Sequence, residues 1–220
     1  MNSTMTRTNV RSQPMNGVNA NRTHAPHQLL KFDRKRALYH HGDNATTVYR
    51  VRSGLVRITR MTPEGRIMTV RHVLPGDYFG EEAFTGESRE EMAEALTETE
   101  LEAYEHAGLT GSILMDITQS LSHQMQRLVD YEYHLQTGDL RQRVARYLLT
   151  LAETPLAYEN DDGVTTVSAT HELLAEGTAS TRESVSKIIT QLRVEGLIRT
   201  AYRSIALLEP EILDDIANDF

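Results

Sequence analysis

The 220-residue sequence predicts an α+β fold with an N-terminal antiparallel β-roll (jelly roll), a long helix and a C-terminal winged helix-turn-helix. Three patterns predict this order. Short apolar runs alternate with turn residues over 29–105, leucines recur every seven residues over 114–135, and two short helices flank a tight turn over 170–189. We expect four segments, namely a tail at 1–27, the β-roll at 28–110, the long helix at 111–137 and the winged helix-turn-helix at 138–220.

Composition excludes several classes of protein. The formal charge of -8 has the wrong sign for binding nucleic acid through bulk charge, so any such binding needs a local basic face. The absence of cysteine excludes disulfides, thiolate redox sensing and Cys-ligated clusters. No apolar leader or membrane-length apolar run is seen, so we expect a cytoplasmic protein with no membrane partner.

The first half of the chain reads as a tail followed by strands. Residues 1–27 are rich in Asn, Thr, Arg and Ser without apolar periodicity, which predicts disorder. Turn signals then separate β-like runs at 37–40, 47–51, 55–58 and 66–70. This spacing is typical of an antiparallel sandwich or jelly roll.

The leucine repeat predicts a helix that pairs with a second copy of the chain. The four leucines span 22 residues, about 33 Å of helix. A core helix packed on its own sheet is the alternative, but a spacing of 3.5 residues held this long favours a coiled coil. The predicted homodimer seam consists of Leu114, Ile117, Leu121, Leu128 and Leu135.

The Gly138-Asp139 pair then ends this helix. A third helix follows, with Leu140, Val144, Leu148 and Leu151 on one face. We expect an exposed acidic loop at 153–163, a short strand at 164–167 and, after the two-helix segment, a β-hairpin that turns at 201–203. A hairpin in this position is the wing of a winged helix.

The second helix of the two-helix segment carries the candidate DNA-reading residues. Its apolar side anchors it and its polar side, with Arg182, Glu183, Ser186 and Lys187, faces outward. Arg182 is suited to guanine O6 and N7, and Glu183 to the cytosine N4 amino group. Lys187 can reach a base or a phosphate. Candidate phosphate contacts are Thr170, Ser180, Ser184 and Arg203.

A purely structural alternative exists for the start of this helix. Ser180 and Glu183 fit a capping box, with Ser180 as N-cap and Glu183 folding back on it. Arg182 and Lys187 are then ordinary solvated charges. The preceding helix and the following wing favour the DNA-reading interpretation.

These parts together resemble the cAMP receptor protein/fumarate-nitrate regulator (CRP/FNR) family over residues 28–208. The resemblance rests on residues 42–58, on Gly76-Asp-Tyr-Phe-Gly-Glu81, on the long helix and on Arg182-Glu183 with Lys187. It implies a cytoplasmic homodimeric transcription regulator with an N-terminal sensor, of the activator kind. Its expected partners are double-stranded DNA with a two-fold symmetric site, with half-sites about one helical turn apart and similar to TGTGA, and RNA polymerase.

The sensor resembles the family's cyclic-nucleotide domain only in part. Gly80 and Glu81 match the ribose-binding pair, and Arg89 matches the phosphate-binding arginine but is followed by Glu90 and Glu91. A carboxylate about 5 Å from a phosphate costs roughly 3 kcal/mol at an effective dielectric near 20. The family's adenine-contacting Thr-Ser pair falls near residues 128–129, Leu and Val here.

We therefore expect a regulator that needs no cofactor and resembles the family's stress-response branch, with a cAMP-dependent activator as the alternative. Glu81 could instead cap a short helix near Glu82. Ala179 stands where the family has its turn glycine, so either φ is negative at Ala179 or the backbone there is strained.

Other functions find little support in the sequence. His40 and His41 are adjacent on a strand end and point to opposite faces, and His24 and His27 lie in the tail, so no metal site is expected. A cupin-type enzyme needs a histidine cluster, yet His72 stands alone. Without a triad, P-loop or paired carboxylates, we expect no enzyme activity. A small-molecule sensor acting mainly through protein partners is the remaining alternative class.

Overall fold

The computed structural model describes residues 27–86 and 88–219. Apart from His27, the tail that we predict to be disordered lies outside the described residues. The rest has the expected order of a β-roll, a long helix and a winged helix-turn-helix, which confirms the predicted fold class. Within the described part of the chain, no helix has the length and apolarity needed to span a bilayer.

The β-roll consists of eight strands, β1 Gln28–Phe32, β2 Ala37–Tyr39, β3 Thr47–Ser53, β4 Val56–Met61, β5 Ile67–Val73, β6 Tyr78–Phe79, β7 Met92–Ala95 and β8 Thr99–Glu105. They form two four-stranded antiparallel sheets, with strand orders β1-β8-β3-β6 and β2-β7-β4-β5. Apolar side chains from alternate strand positions fill the space between the sheets, and Ile58, Phe79 and Leu101 are fully buried there. Gly54 has φ +85°, and a Cβ at this position would lie 2.3 Å from Glu98 O, so the β3–β4 turn requires glycine.

Helix α1, Gly111–Gln136, packs one face on its own β-roll. Ile113 and Ile117 join Val48, Tyr78 and Tyr104 in a buried cluster. The prediction that Ile117 belongs to a dimer seam is therefore wrong, because its side chain is only 3% exposed within one chain. A heptad pattern cannot distinguish packing on a sheet from packing on a partner helix when one helix does both.

The seam leucines lie between that buried face and the exposed face of α1. Leu114 is 40% exposed, and Leu121, Leu128 and Leu135 are half-buried. The most exposed apolar side chains of the helix are not those of the predicted seam. They are Met115, Met125 and Val129, at 68%, 62% and 56% exposure.

The predicted break after α1 is confirmed. Gly138 adopts φ +78°, and Asp139 caps helix α2, Leu140–Ala152, through a reciprocal capping box with Gln142. The segment predicted as an exposed acidic loop is only partly a loop. Its middle forms strand β9, Ala157–Glu159, which pairs with β10, Thr165–Val167.

The C-terminal domain is a winged helix-turn-helix built on the sheet β11-β12-β10-β9. Helix α3, His171–Gly177, and helix α4, Arg182–Val194, are followed by the hairpin of β11, Ile198–Ala201, and β12, Ser204–Leu207. Helix α5, Pro210–Asn218, then packs on α2. The wing turn contains Arg203 with φ +56°.

Close contacts attach the end of α3 to the rest of the molecule. Arg57 of β4 is 7% exposed and forms ion pairs with Glu94, at 2.7 Å, and with Glu176 of α3. The Tyr131 hydroxyl of α1 donates to Gly177 O at 2.7 Å. Together these contacts fix the helix-turn-helix against both the β-roll and the long helix.

Candidate DNA-binding surface and sensor pocket

Helix α4 presents a polar surface because its apolar side is held in the domain core. Val185, Ile189 and Leu192 are at most 2% exposed. Arg182, Glu183 and Lys187 all have side chains more than two-thirds exposed. Glu183 and Lys187 lie opposite the buried residues, whereas Arg182, the first residue of the helix, lies two turns before Ile189 on nearly the same side.

The cap of α4 differs from the predicted one. Thr181 is the N-cap, and its Oγ1 accepts from Ser184 N at 3.2 Å. Ser180 lies one residue earlier, where its backbone N donates to Ala175 O at 2.9 Å and closes the turn. The capping box of Ser180 and Glu183 is therefore wrong, because the turn uses Ser180 and the chain becomes extended only at Thr181, with φ -96° and ψ 150°.

The charges on this surface are paired with one another. Arg182 Nε lies 2.7 Å from Glu172 Oε1 of α3, and Lys187 Nζ lies 3.0 Å from Glu183 Oε1. Glu183 thus forms an i,i+4 ion pair and does not cap the helix. Exposed pairs of this kind contribute about 0–1 kcal/mol, so they can be exchanged at little cost for phosphates or bases.

A groove of about 520 Å³ joins the start of α3, the start of α4 and the wing. It brings together three of the predicted residues, Thr170, Arg182 and Arg203. Thr170 is also the N-cap of α3, and its Oγ1 accepts from Leu173 N at 3.2 Å. The other predicted residues lie outside the lining of this groove, along α4 and the turn before it, and are Ser180, Glu183, Ser184, Ser186 and Lys187.

Sequence reasoning missed two residues of this groove. Tyr202, at the wing tip, is 86% exposed and stacks under the Arg203 guanidinium at 5.2 Å. A large exposed aromatic residue inside the predicted turn was a signal for it. Lys35 reaches the groove from the turn between β1 and β2, and no local pattern could place it there.

The sequence matches known families in both halves. Residues 29–110 match the cyclic nucleotide-binding domain, and residues 142–216 match the Crp-like helix-turn-helix domain. Transcriptional regulator LdrP of Thermus thermophilus is 48% identical over 186 residues, covering 84% of this chain and 95% of LdrP. The chain belongs to the CRP/FNR family of transcriptional regulators.

Further CRP/FNR regulators resemble the chain along most of its length. Transcriptional regulator SdrP of Thermus thermophilus is 41% identical over 169 residues, 77% of this chain and 83% of SdrP. The crystal structure of TTHB099, a CRP-family regulator of the same organism, superposes with a TM-score of 0.84 at 47% identity, over 86% of this chain and 97% of that one. The chain is thus a DNA-binding transcription regulator.

In the sensor domain of this CRP/FNR regulator, Arg89 is bonded to other residues of the chain. Arg89 is 1% exposed and donates to Gly80 O at 2.9 Å, to Glu82 Oε2 at 3.1 Å and to Thr47 O at 2.5 Å. Its guanidinium also stacks on the Tyr39 ring at 4.4 Å. Gly80 has φ +84°, and a Cβ there would lie 2.9 Å from Arg89 Nη1, so glycine is what allows this contact.

Glu81 is likewise engaged inside the protein. Its Oε1 accepts from Arg71 Nη2 at 2.5 Å. The suggestion that Glu81 caps the 3-10 helix Glu81–Phe84 is wrong, because Gly80 is the N-cap residue and no side chain caps this helix. Of the two glutamates after Arg89, Glu90 forms an outward ion pair with Arg60 at 2.8 Å, and burial raises the pKa of Glu91.

The imidazole of His41 takes part in a hydrogen bond, with Nδ1 2.9 Å from Glu90 O, whereas His40 donates to Asp43 through its backbone N, at 2.8 Å. Within residues 27–86 and 88–219, no group of three or more His, Cys, Asp or Glu residues has a geometry that could hold a metal ion.

Proposed function

We propose that this CRP/FNR regulator binds a two-fold symmetric DNA site as a homodimer and requires neither cAMP nor another cofactor. The observation that carries the proposal is the state of Arg89. This arginine, the family's phosphate-binding residue, is buried and already bonded to two carbonyl oxygens and a carboxylate.

A cyclic nucleotide fits these residues poorly. Both terminal nitrogens of Arg89 are bonded to Gly80 O, Thr47 O and Glu82, so only its Nε is left for a phosphate. Glu81 Oε1 is paired with Arg71, so only its Oε2 is left for a ribose hydroxyl. Leu128 and the residue after it offer no hydroxyl to the base. The internal network thus occupies most of the polar groups that would bind the nucleotide, and on this proposal DNA binding proceeds without a ligand.

The direct test is to measure the affinity of the full-length protein for a palindromic site with and without cAMP. We expect equal dissociation constants, because Arg89 and Glu81 already form their charged contacts within the protein. An affinity that rises tenfold or more with cAMP contradicts the proposal. Arg89→Ala removes the phosphate ligand and serves as the control for any effect of cAMP.

The exposed stripe on α1 supports the homodimer. Met115, Thr118, Ser122, Met125 and Val129 are all exposed and alternate in spacing between three and four residues. This is the heptad spacing of a helix that packs on a partner helix. A second copy of α1 buries the two methionines and the valine, and the half-buried leucines flank the seam.

Sedimentation tests this seam. Met125→Asp places two like charges against each other across a two-fold axis, so we expect a monomer with weakened DNA binding. His123→Asp is the matched control, because His123 is also exposed on α1 but lies about 120° around the helix from the stripe. A Met125→Asp variant that remains dimeric places the interface elsewhere.

Base reading by Arg182 and Glu183 is the second part of the proposal. A good bidentate contact contributes about 1–3 kcal/mol of discrimination, so Arg182→Ala should weaken specific binding about tenfold to a hundredfold and flatten the preference at one position of each half-site. Arg203→Ala, at a proposed phosphate contact, should weaken binding to all sequences alike and lower the salt slope by about one unit. Competition with single-base variants at fixed salt separates the two patterns. Uniform weakening by Arg182→Ala contradicts the base-reading role.

RNA polymerase is the expected protein partner of the DNA-bound dimer. The acidic segment at 153–163 carries the exposed Glu159 and Asp162 at the outer edge of the C-terminal domain and is our candidate contact. Reversing both charges should lower transcription from a target promoter without changing DNA affinity.

A further inference from the structure

Arg57 links the β-roll to the helix-turn-helix through two carboxylates. It lies on β4, is 7% exposed and bonds Glu94 of the neighbouring strand β7, at 2.7 Å, and Glu176 of helix α3. Its Nε has no partner. Burial alone lowers the pKa of Arg57, but the hydrogen bonds and charges of the two glutamates more than offset this effect, so the pKa is raised and the side chain is charged.

The two carboxylates belong to different domains. Glu94 stays beside Arg57 whatever the position of α3, because the two residues lie opposite each other on paired strands. Removing one partner of a buried ion pair is costly when the remaining charge has no compensation. Here Glu176 can leave while Arg57 keeps Glu94. The link to α3 can therefore open without stranding a buried charge in the β-roll.

Helix α3 connects this link with the DNA-reading residues. Glu172 and Glu176 are four residues apart on one face of the helix, and both line a cleft of about 200 Å³ between α3 and the β-roll. Glu176 binds Arg57, whereas Glu172 Oε1 lies 2.7 Å from Arg182 Nε of α4. Backbone hydrogen bonds close the turn between the two helices. The position of Glu176 therefore sets the position of Arg182.

The other contacts at this junction are between neutral groups. Leu55 and Leu96 of the β-roll pack into the apolar core of the C-terminal domain, and the Tyr147 hydroxyl lies 3.3 Å from His72 Nε2. Apolar contacts are non-directional, so they hold the domains together but tolerate small rotations. A charge-assisted hydrogen bond has a preferred direction and is stronger than a neutral one. The bond between Arg57 and Glu176 is thus suited to fixing the orientation of α3.

We propose that Arg57 and Glu176 are positioning residues for DNA recognition, and that their bond holds α3, and through it Arg182, in the orientation that enters the major groove. This inference rests on the ligand-free DNA binding proposed above and names a contact that provides it. Because Arg57 is buried, it acts on DNA only through α3. When the bond is open the protein remains folded, but only a fraction of the molecules holds the recognition helix in place, and the apparent affinity falls by that fraction.

Glu176→Ala and Glu94→Ala are matched variants of the full-length protein. Each removes one carboxylate bonded to Arg57, and charge alone makes both bind DNA slightly more tightly. We expect Glu176→Ala to weaken binding to a palindromic duplex by about threefold to tenfold, the range that corresponds to the net value of one hydrogen bond. Glu94→Ala should leave the affinity nearly unchanged. Glu176→Gln keeps an acceptor for Arg57 and should recover part of the loss.

A loss of stability alone does not produce this pattern. Well below the melting midpoint nearly all molecules are folded, so a variant that is merely less stable binds DNA like the unmodified protein. In an Arg57→Met background the partner of Glu176 is gone, so Glu176→Ala should cause no further loss of affinity. The proposal is overturned if Glu176→Ala binds DNA as tightly as the unmodified protein, or no more weakly than Glu94→Ala.

Measurements without cAMP and at saturating cAMP keep this proposal separate from the proposed function. A requirement of the unmodified protein for cAMP contradicts ligand-free DNA binding. The order of the two alanine variants at saturating cAMP still decides whether Arg57 and Glu176 position the recognition helix.

Discussion

Replacing Gly177 with alanine tests how closely the helix-turn-helix is packed on helix α2. Gly177 is the last residue of α3, and a Cβ placed on it lies 2.0 Å from Cζ of the Tyr147 ring. The ring cannot swing into solvent, because Tyr147 is 4% exposed and its hydroxyl lies 3.3 Å from His72 Nε2. Either α3 or α2 has to move.

The expected cost follows from two opposing terms. Forcing an extra carbon into a packed core costs about 1–3 kcal/mol. Alanine in place of glycine stabilises a helix by up to about 1 kcal/mol, and by less at a helix end. We therefore expect Gly177→Ala to lower the free energy of unfolding by about 1–2 kcal/mol in urea denaturation. Because α4 follows α3 directly, DNA affinity should fall as well.

A double-mutant cycle separates the collision from other effects. In a Tyr147→Leu background the ring is gone, so Gly177→Ala should be neutral or slightly stabilising. Gly111→Ala is the control, since Gly111 begins α1 and a Cβ added there meets no atom within 4 Å. The proposed collision does not exist if Gly177→Ala is as stable as the unmodified protein. The same holds if the effects of Gly177→Ala and Tyr147→Leu on the free energy of unfolding simply add.

Three further outcomes can be measured by denaturation. Ala179→Gly should stabilise the protein by up to about 1 kcal/mol in a thermal melt, since φ is +50° at Ala179 and relief of this strain exceeds the entropic cost of glycine. Thr181→Ala should cost about 1 kcal/mol through loss of the cap, with Ser180→Ala as the milder comparison. The pKa of His72 is lowered to about 4 from 6.5, so the unfolded chain binds more protons between these values. Stability should therefore fall as pH drops from 6.5 to 4, by at most a few kcal/mol, and His72→Gln should flatten that dependence.

Local patterns in the sequence were sufficient for the order of elements. The heptad leucines predicted the long helix, and Gly138-Asp139 predicted where it ends, because both signals depend on neighbours within one or two turns. The apolar side of α4 followed from the same periodicity. The assignment of Ile117 to a dimer seam failed because periodicity reports that a face is apolar, and says nothing about which surface covers it.

The sensor required knowledge of contacts between distant parts of the chain. The sequence placed Gly80, Glu81 and Arg89 in one pocket by resemblance, and their separation of nine residues or fewer is consistent with that grouping. It gave no sign that Arg71 pairs with Glu81 or that Thr47 O accepts from Arg89, since each contact joins a strand to the segment 81–89 through the packing of the fold. The N-cap of α4 was predicted one residue too early, at Ser180 instead of Thr181, because several neighbouring residues in that turn carry hydroxyls.

If DNA binding proceeds without cAMP, as we propose, protein contacts alone must hold the helix-turn-helix in place. Arg89 is bonded to Glu82 and to two backbone carbonyls, and the Arg57–Glu176 pair joins the β-roll to helix α3. On this proposal, control of DNA binding has to act on the contact between the domains, where Gly177 of α3 lies against the Tyr147 ring of α2.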